Sequence, residues 1–356
     1  MISWREGRVA ALGRAWRGAQ ELTVDVDGSP TKALAYPELT GEPRVGDRVL
    51  LNVTAQTMGL GTGGYAMVVA LPDRLPADPP PGPGHLVKAR YTPLQAIVLG
   101  ADEQDSPHHE ALREADSLGG MPVVTADLHS ALPAICAAIL ADRLGTRIAY
   151  VMTDGGALPL WFSRTVAGLR DAGWLAGSVT VGQALGGDLE TVTTHTGLLA
   201  ARLILEADVT IITQGPGNLG TGTRWGFSGV SCGEAVNAAA ALDGRPVGAL
   251  RISEADARER HRGLSHHSVT AYGRVALASA DLAVPAEPGE FWDGVRAQAE
   301  ILKPRHTLHR VDCTGLDEAL AASPVPLSTM GRGPVADRAN FLAAAAAGRL
   351  AASLIS

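Results

Sequence analysis

Along residues 1–75 apolar and polar positions alternate in short runs, ELTVDVDG, RVGDRVLLNVTA and YAMVVAL, each closed by Gly, Pro or Asp. A period of two puts one face of a strand in a core and the other in water. Turns at this spacing predict a small antiparallel β domain that closes as a barrel. Residues 76–90, PADPPPGPGHLVKAR, are crowded with proline and glycine and predict a linker. Over residues 91–356 the texture changes to uninterrupted apolar runs, QAIVLG, MPVVTA, RIAYVM, VTIITQ, VGALRIS and PVPLST. Between many of them stand helix-like stretches such as SALPAICAAILADRLG, LWFSRTVAGLRDAG and TGLLAARLILEA. Strands apolar on both sides must be covered on both sides, so this domain is expected to be α/β, a doubly wound, mostly parallel sheet with helices on both faces. FLAAAAAGRLAAS predicts a last helix, with Pro334 in its first turn.

Composition narrows the partners. The formal net charge is −7, and lysine occurs only at 32, 88 and 303 among thirty basic residues. No clustered basic face is available for nucleic acid, and lysine chemistry has almost no candidates. Cys136, Cys232 and Cys313 are odd in number and fit no CxxC pattern, which points to reduced thiols in a cytoplasmic protein. The longest clean apolar run, ALPAICAAILA, is too short for a membrane span. Alanine-rich helices pack closely and serve either a homo-oligomer or a monomer core.

In a parallel sheet ligands settle outside the carboxyl ends of the strands, so chemistry is sought in the loops there. TQGPGNLGTGTRWGFSG follows VTII and sets Gly215, Gly217 and Gly220 in GxGxxG spacing. A nicotinamide dinucleotide (NAD) is disfavoured because no helix opens before about Ser228 and no acid lies about 20 residues on. A Walker A loop is excluded, since no lysine follows the glycines. Two readings remain. Either Gly215, Gly217, Asn218, Gly220, Thr221, Gly222, Thr223 and Arg224 cradle an anion through backbone amides, or the glycines serve a turn. Arg251, at another strand end, is a further anion ligand.

Titratable residues crowd the same loops. His108 and His109 form one doublet, His266 and His267 another, with His129 and His261 nearby in the loop set. His109, His266 and His267 are candidate acid/base groups, with Asp154 of TDGGALP beside Gly155 and Gly156 as a strand-end acid. Asp127, His129 and Asp188 are candidate ligands of a divalent metal. Adjacent residues on a helix diverge, so each doublet is expected to offer one ligand. GVSCG matches the GxSxG pattern at Ser231, but no strand runs into it, and a helix start is the simpler reading.

The strings VGDRVLLN, GLGTGGYAMVVA, RYTPLQ, SPHHEALREADSL, YVMTDGGALPL, TGTRWGFSG and RHRGLSHHSVTA resemble a bacterial family known as domain of unknown function 3866, over essentially the whole chain. The resemblance carries no established activity, so function rests on the residues. They suggest a hydrolase or transferase acting on a phosphorylated or nucleotide-like small molecule. The alternatives are a non-catalytic ligand sensor or interaction module and an esterase using Ser231.

Overall fold

In the computed structural model, which describes residues 1–355, the alternation of the first segment becomes a closed barrel. Its strands are β1 (Trp4–Trp16), β2 (Ala19–Val26), β3 (Ser29–Ala35), β4 (Arg48–Asn52) and β5 (Ala66–Ala70), in the order β1-β2-β3-β5-β4. Leu22 and Val24 point inward while Thr23 and Asp25 are exposed, as the period of two requires. Asp27 and Gly28 link β2 to β3 with φ of 51° and 79°, the backbone of a two-residue hairpin turn matched to strand twist. The barrel is mixed, since β3 and β5 run parallel.

The chain divides into two compact units, Met1–Pro83 with Val87–Ile97, and Gly84–Leu86 with the residues from Val98 onward. Short strands β6 (Leu86–Lys88) and β7 (Ala96–Val98) lie on this boundary.

The second unit is built on eight strands: β8 (Pro122–Thr125), β9 (Ile148–Thr153), β10 (Gly177–Thr180), β11 (Leu189–Glu190), β12 (Val209–Gln214), β13 (Arg245–Ala249), β16 (Asp281–Pro285) and β17 (Thr307–Val311). A separate pair, β14 (Ile252–Ser253) and β15 (Gly263–Leu264), is antiparallel. The sheet order is β11-β10-β9-β12-β8-β13-β16-β17, and every pairing in it is parallel. Every residue of β8, β9 and β12 is buried.

Successive residues feed two cores. Val124, Tyr150 and Ile211 pack in one core with helices α1 (Leu132–Asp142), α2 (Arg164–Asp171) and α8 (Arg338–Ser353). Val123, Val151 and Ile212 pack in the other with α3 (Thr194–Leu203) and α4 (Ser231–Ala241). Further helices are α5 (His266–Thr270), α6 (Glu290–Ala299) and α7 (Leu316–Ala321), besides single turns at Pro37–Thr40, Thr54–Thr57 and His109–Leu112. The alanines of α8 are spent inside the unit: Ala343, Ala345, Ala346 and Ala347 are fully buried. Gly348 lies so close to α1 that a methyl group there would meet the Ile135 carbonyl at 2.4 Å. None of the helices among the described residues is long and apolar enough to cross a membrane.

Local expectations needed correction at the sheet's margins. QAIVLG supplies only β7 and a single bridge from Gly100 to Glu190, not a strand of the large sheet. PVPLST forms no strand; Pro324 and Pro326 have no N–H to give a ladder. The outer places are taken by β16 and β17, and Pro334 sits in the turn before α8 rather than in its first turn.

The connections change direction at the middle of the sheet. From β8 the chain moves to β9, β10 and β11 on one side; from β12, inserted between β9 and β8, it moves to β13, β16 and β17 on the other. Loops leaving the carboxyl ends of β8 and β13 therefore run to opposite sides, and the carboxyl edge at β8 is where the loops that could hold a ligand are sought.

Candidate functional site

The glycine loop after β12 is held by its own atoms and by its neighbours. Gly220 and Phe227 bridge, Thr221 N–H donates to the Gly226 carbonyl at 2.7 Å, and Gly226 N–H donates to Thr223 Oγ1 at 3.1 Å. Residues 215–228 thus double back as a small hairpin whose tip, Thr221 to Trp225, is exposed and carries Arg224. Asn218 Oδ1 accepts from Gln214 Nε2 at 2.8 Å and from Ser228 Oγ at 3.3 Å. Gly217 and Gly222 have φ of 93° and 82°, which a side chain would strain.

Gly215 and Gly156 answer to a different need. A methyl group on Gly156 would lie 2.2 Å from the Gly215 carbonyl oxygen, and one on Gly215 would lie 2.5 Å from the Ala157 carbonyl oxygen. Ala157 N–H donates to the Pro216 carbonyl at 2.7 Å. The TDGGALP loop and the glycine loop are in backbone contact, which only glycine permits. Gly155 lies beside Gln214, whose Oε1 would be 3.0 Å from an added Cβ.

On the other flank the glycine hairpin meets the second histidine doublet. Phe227 stacks on His267 with ring centroids 3.7 Å apart, and a methyl on Gly222 would be 3.7 Å from Arg260 Nη2. Ser265 caps the helix α5 by accepting from the N–H of His267 at 3.2 Å, so the doublet occupies the first turn. Both rings converge on His261, with centroids 4.9 Å away for His266 and 4.7 Å for His267. Where one ligand per doublet is expected, both rings of this doublet stand close to each other, at 4.4 Å between centroids, and to His261. One ligand atom from each of His261, His266 and His267 lies within 4.8 Å of the other two. A π-turn at Ala271–Val275 follows directly, a local distortion often kept for function.

Beneath the histidines lies a buried ionic network. Asp127, at the end of β8, has its Oδ2 3.5 Å from His267 Nδ1 and 3.6 Å from Arg251 Nη1, and makes no hydrogen bond through that oxygen. Burial alone would raise the Asp127 carboxyl; His267 and Arg251 outweigh it and hold it below the usual range. Arg251 Nη2 faces Asp256 Oδ2 at 3.9 Å, and Asp256 is paired with Arg258 at 2.8 Å and Arg332 at 3.4 Å. Asp337, fully buried, accepts from Ser253 Oγ at 2.6 Å, from Glu254 N–H at 3.1 Å and from Arg332 Nε at 3.1 Å.

His261 is held down to about 3 by burial, then by Arg251, Arg258 and the other histidines; His266 falls to about 4 from burial, His267 and nearby arginines. Both are neutral imidazoles near pH 7. His261 Nδ1 is 2.8 Å from Ser265 Oγ, whereas His266 Nε2 is buried with no partner.

The other sequence candidates lie elsewhere. His109 Nδ1 bonds the Asp102 carbonyl at 2.8 Å. Asp154 is exposed and accepts from Gln183 N–H at 2.8 Å, tying the loops after β9 and β10 together. Asp188 accepts from Ser178 N–H at 2.8 Å and faces Arg170 at 3.3 Å, so it serves the sheet edge and not the histidine cluster. His129 is buried with Nδ1 2.9 Å from Tyr150 Oη and Nε2 2.7 Å from Ser163 Oγ, which occupies both nitrogens that a metal would need. Of the three metal candidates only Asp127 stands beside the cluster. Ser231 begins α4 and its Oγ donates to the Ser228 carbonyl at 3.2 Å. Neighbouring Cys232 is buried, which pushes its thiol far up and leaves it unreactive. Reading by residue type underweighted His261, Asp256, Asp337 and Phe227; the spacing H-x4-HH in HRGLSHH was the one signal for the first of these.

The fold is a doubly wound α/β sheet with His261, His266 and His267 gathered at its carboxyl edge. Residues 32–348 match the family described as "Protein of unknown function (DUF3866)", and the chain belongs to that family. No curated protein matches it.

Proposed function

We propose that this chain is an enzyme of the hydrolase or transferase type that takes a small anionic molecule, phosphorylated or nucleotide-like, at the carboxyl edge of the sheet. One observation carries the reading: loops after β8, β12 and β13 bring Asp127, Phe227, Arg251, His261, His266 and His267 together at that edge. Imidazoles kept neutral can take a proton from an attacking water or hydroxyl, the step that a hydrolase or transferase needs at this edge. Arg260, beside the glycine hairpin, and Arg224 on its tip supply charge for the anion. The glycine loop contributes less through its amides than through shape, because Leu219, Thr221 and Gly226 give their N–H groups to partners inside the loop.

The test is a thermal-shift panel of nucleotides and sugar phosphates, followed by turnover assays on every compound that binds. A ligand present at about 100 times its Kd stabilises by about 2.7 kcal/mol, an easily measured rise in Tm. Arg260→Ala is exposed and should abolish that rise while leaving the Tm of the free protein unchanged. A panel in which no compound shifts Tm, or binding that never leads to turnover, would overturn the enzymatic reading.

A further inference from the structure

We propose that His261, His266 and His267 bind one divalent transition-metal ion, zinc in the first instance, with Asp127 orienting His267 and a fourth position left open to water. This deepens the reading above by naming a cofactor for the same site, and it is tested by metal uptake, which does not depend on turnover.

The distances come close to what an ion requires. Zinc–nitrogen bonds of about 2.0–2.1 Å in a tetrahedron put ligand atoms about 3.3 Å apart. The three histidine ligand atoms lie within 4.8 Å of one another, so the rings need close by no more than about 1.5 Å. His266 is half-buried, while His261 and His267 are buried, so the closing falls mainly to His266.

Each ring has a donor atom to give. His261 Nδ1 is engaged by Ser265 Oγ, leaving Nε2. His266 Nε2 is buried and unpartnered, a cost that a bound ion removes. His267 Nδ1 lies 3.2 Å from Arg251 Nη1 and 3.5 Å from Asp127 Oδ2. A guanidinium only donates, so Nδ1 cannot accept from Arg251 and also donate to Asp127. With a metal on Nε2 the proton resides on Nδ1 and goes to Asp127 Oδ2, the oxygen that otherwise lacks a hydrogen bond. Arg251 then pairs with the carboxylate alone. This carboxylate–histidine–metal arrangement is the usual way a ligand ring is oriented.

The electrostatics admit a dication. Arg251, Arg258 and Arg332 are matched by Asp127, Asp256 and Asp337, so the network below the rings is close to neutral. An all-imidazole set suits zinc and its transition-metal neighbours; magnesium and calcium need oxygen ligands that the three rings do not offer. Three protein ligands with an open position is the pattern of catalytic zinc, not of the closed structural site.

The experiment uses the full-length protein, stripped with a chelator, dialysed and titrated with Zn2+ by calorimetry, with Co2+ as a spectroscopic substitute. One equivalent of zinc per chain and the visible absorption of tetrahedral nitrogen-ligated Co2+ are expected. His266→Ala should weaken zinc binding by about 100-fold or more, and Asp127→Asn by about 10- to 100-fold. His85→Ala, an exposed histidine outside the cluster, should leave it unchanged. If His266→Ala does not fold, the Co2+ spectrum of the unaltered chain decides alone. Failure to take up one equivalent, or equal affinity in His266→Ala, overturns the proposal. Stoichiometric zinc with no turnover on any anion would leave this inference standing and remove the enzymatic reading; anion turnover in a protein that takes up no zinc would do the reverse.

Discussion

Replacing Gly156 by alanine isolates the contact that holds the TDGGALP loop against the glycine loop. The new methyl carbon would fall 2.2 Å from the Gly215 carbonyl oxygen and 2.8 Å from that of Pro216. Both are backbone atoms, so no side chain can rotate away, and the two loops must part. Parting them stretches the 2.7 Å hydrogen bond from Ala157 N–H to the Pro216 carbonyl. Overpacking of this kind costs about 1–3 kcal/mol and the hydrogen bond about another 1, giving roughly 2–4 kcal/mol in total. For a unit of this size each kcal/mol is roughly 2 °C, so Tm should fall by roughly 4–8 °C. Gly220→Ala is the control. Its only neighbour within 4 Å is the Gly226 carbonyl at 3.9 Å, so stability should change by no more than about 0.5 kcal/mol. Urea melts of the two variants, read at an unchanged m-value, check this. Equal stability of the two variants would refute the reasoning, for then the close approach of the loops is not real. A loss of ligand binding in Gly220→Ala without a loss of stability would mark the backbone there as a contact for the anion.

Two further outcomes follow from buried groups. His129 is neutral in the fold, with burial lowering it from 6.5 to about 4. Above pH 6.5 folded and unfolded forms are alike; between about 6.5 and 4 the unfolded chain takes a proton the fold refuses, which removes about 3 kcal/mol of stability. His129→Asn should flatten that part of the stability–pH curve relative to the unaltered chain, and an identical slope in both would refute the assignment. Asp337→Ala should cost about 3–5 kcal/mol, because it strands Ser253 Oγ, Glu254 N–H and the half-buried Arg332; a denaturation midpoint within error of the parent would show that the network contributes little.

The large sheet was legible because MPVVTA, RIAYVM and VTIITQ are mostly apolar, as strands covered on both faces are, although QAIVLG shares that pattern and lies outside the sheet. The edge strand β17 escaped notice because TLHRV mixes polar and apolar positions, as a partly solvated strand does, and β16 because DLAVP is a short apolar run between a polar start and a proline. Loops at the strand ends were readable as a set, yet which of them meet was not. Residue type ranked His129 with His266, although Tyr150 and Ser163 engage the first on both sides and nothing engages Nε2 of the second. That difference lives in long-range packing and leaves no trace in local spacing.

The order of strands also has a bearing on how the protein is made. β8 is the middle of the sheet, but its partners are β12 and β13, which end at Gln214 and Ala249. At a synthesis rate of about 5–20 residues per second, the strand Pro122–Thr125 waits roughly 6–25 s on the ribosome before both flanks exist. During that interval β9, β10 and β11 can pair with each other, while β8 first lacks both partners and then, once β12 is made, still lacks β13. Asp127 and the three histidines therefore come into register late in translation, and a nascent chain stalled before residue 249 has neither a finished sheet nor any part of the histidine cluster.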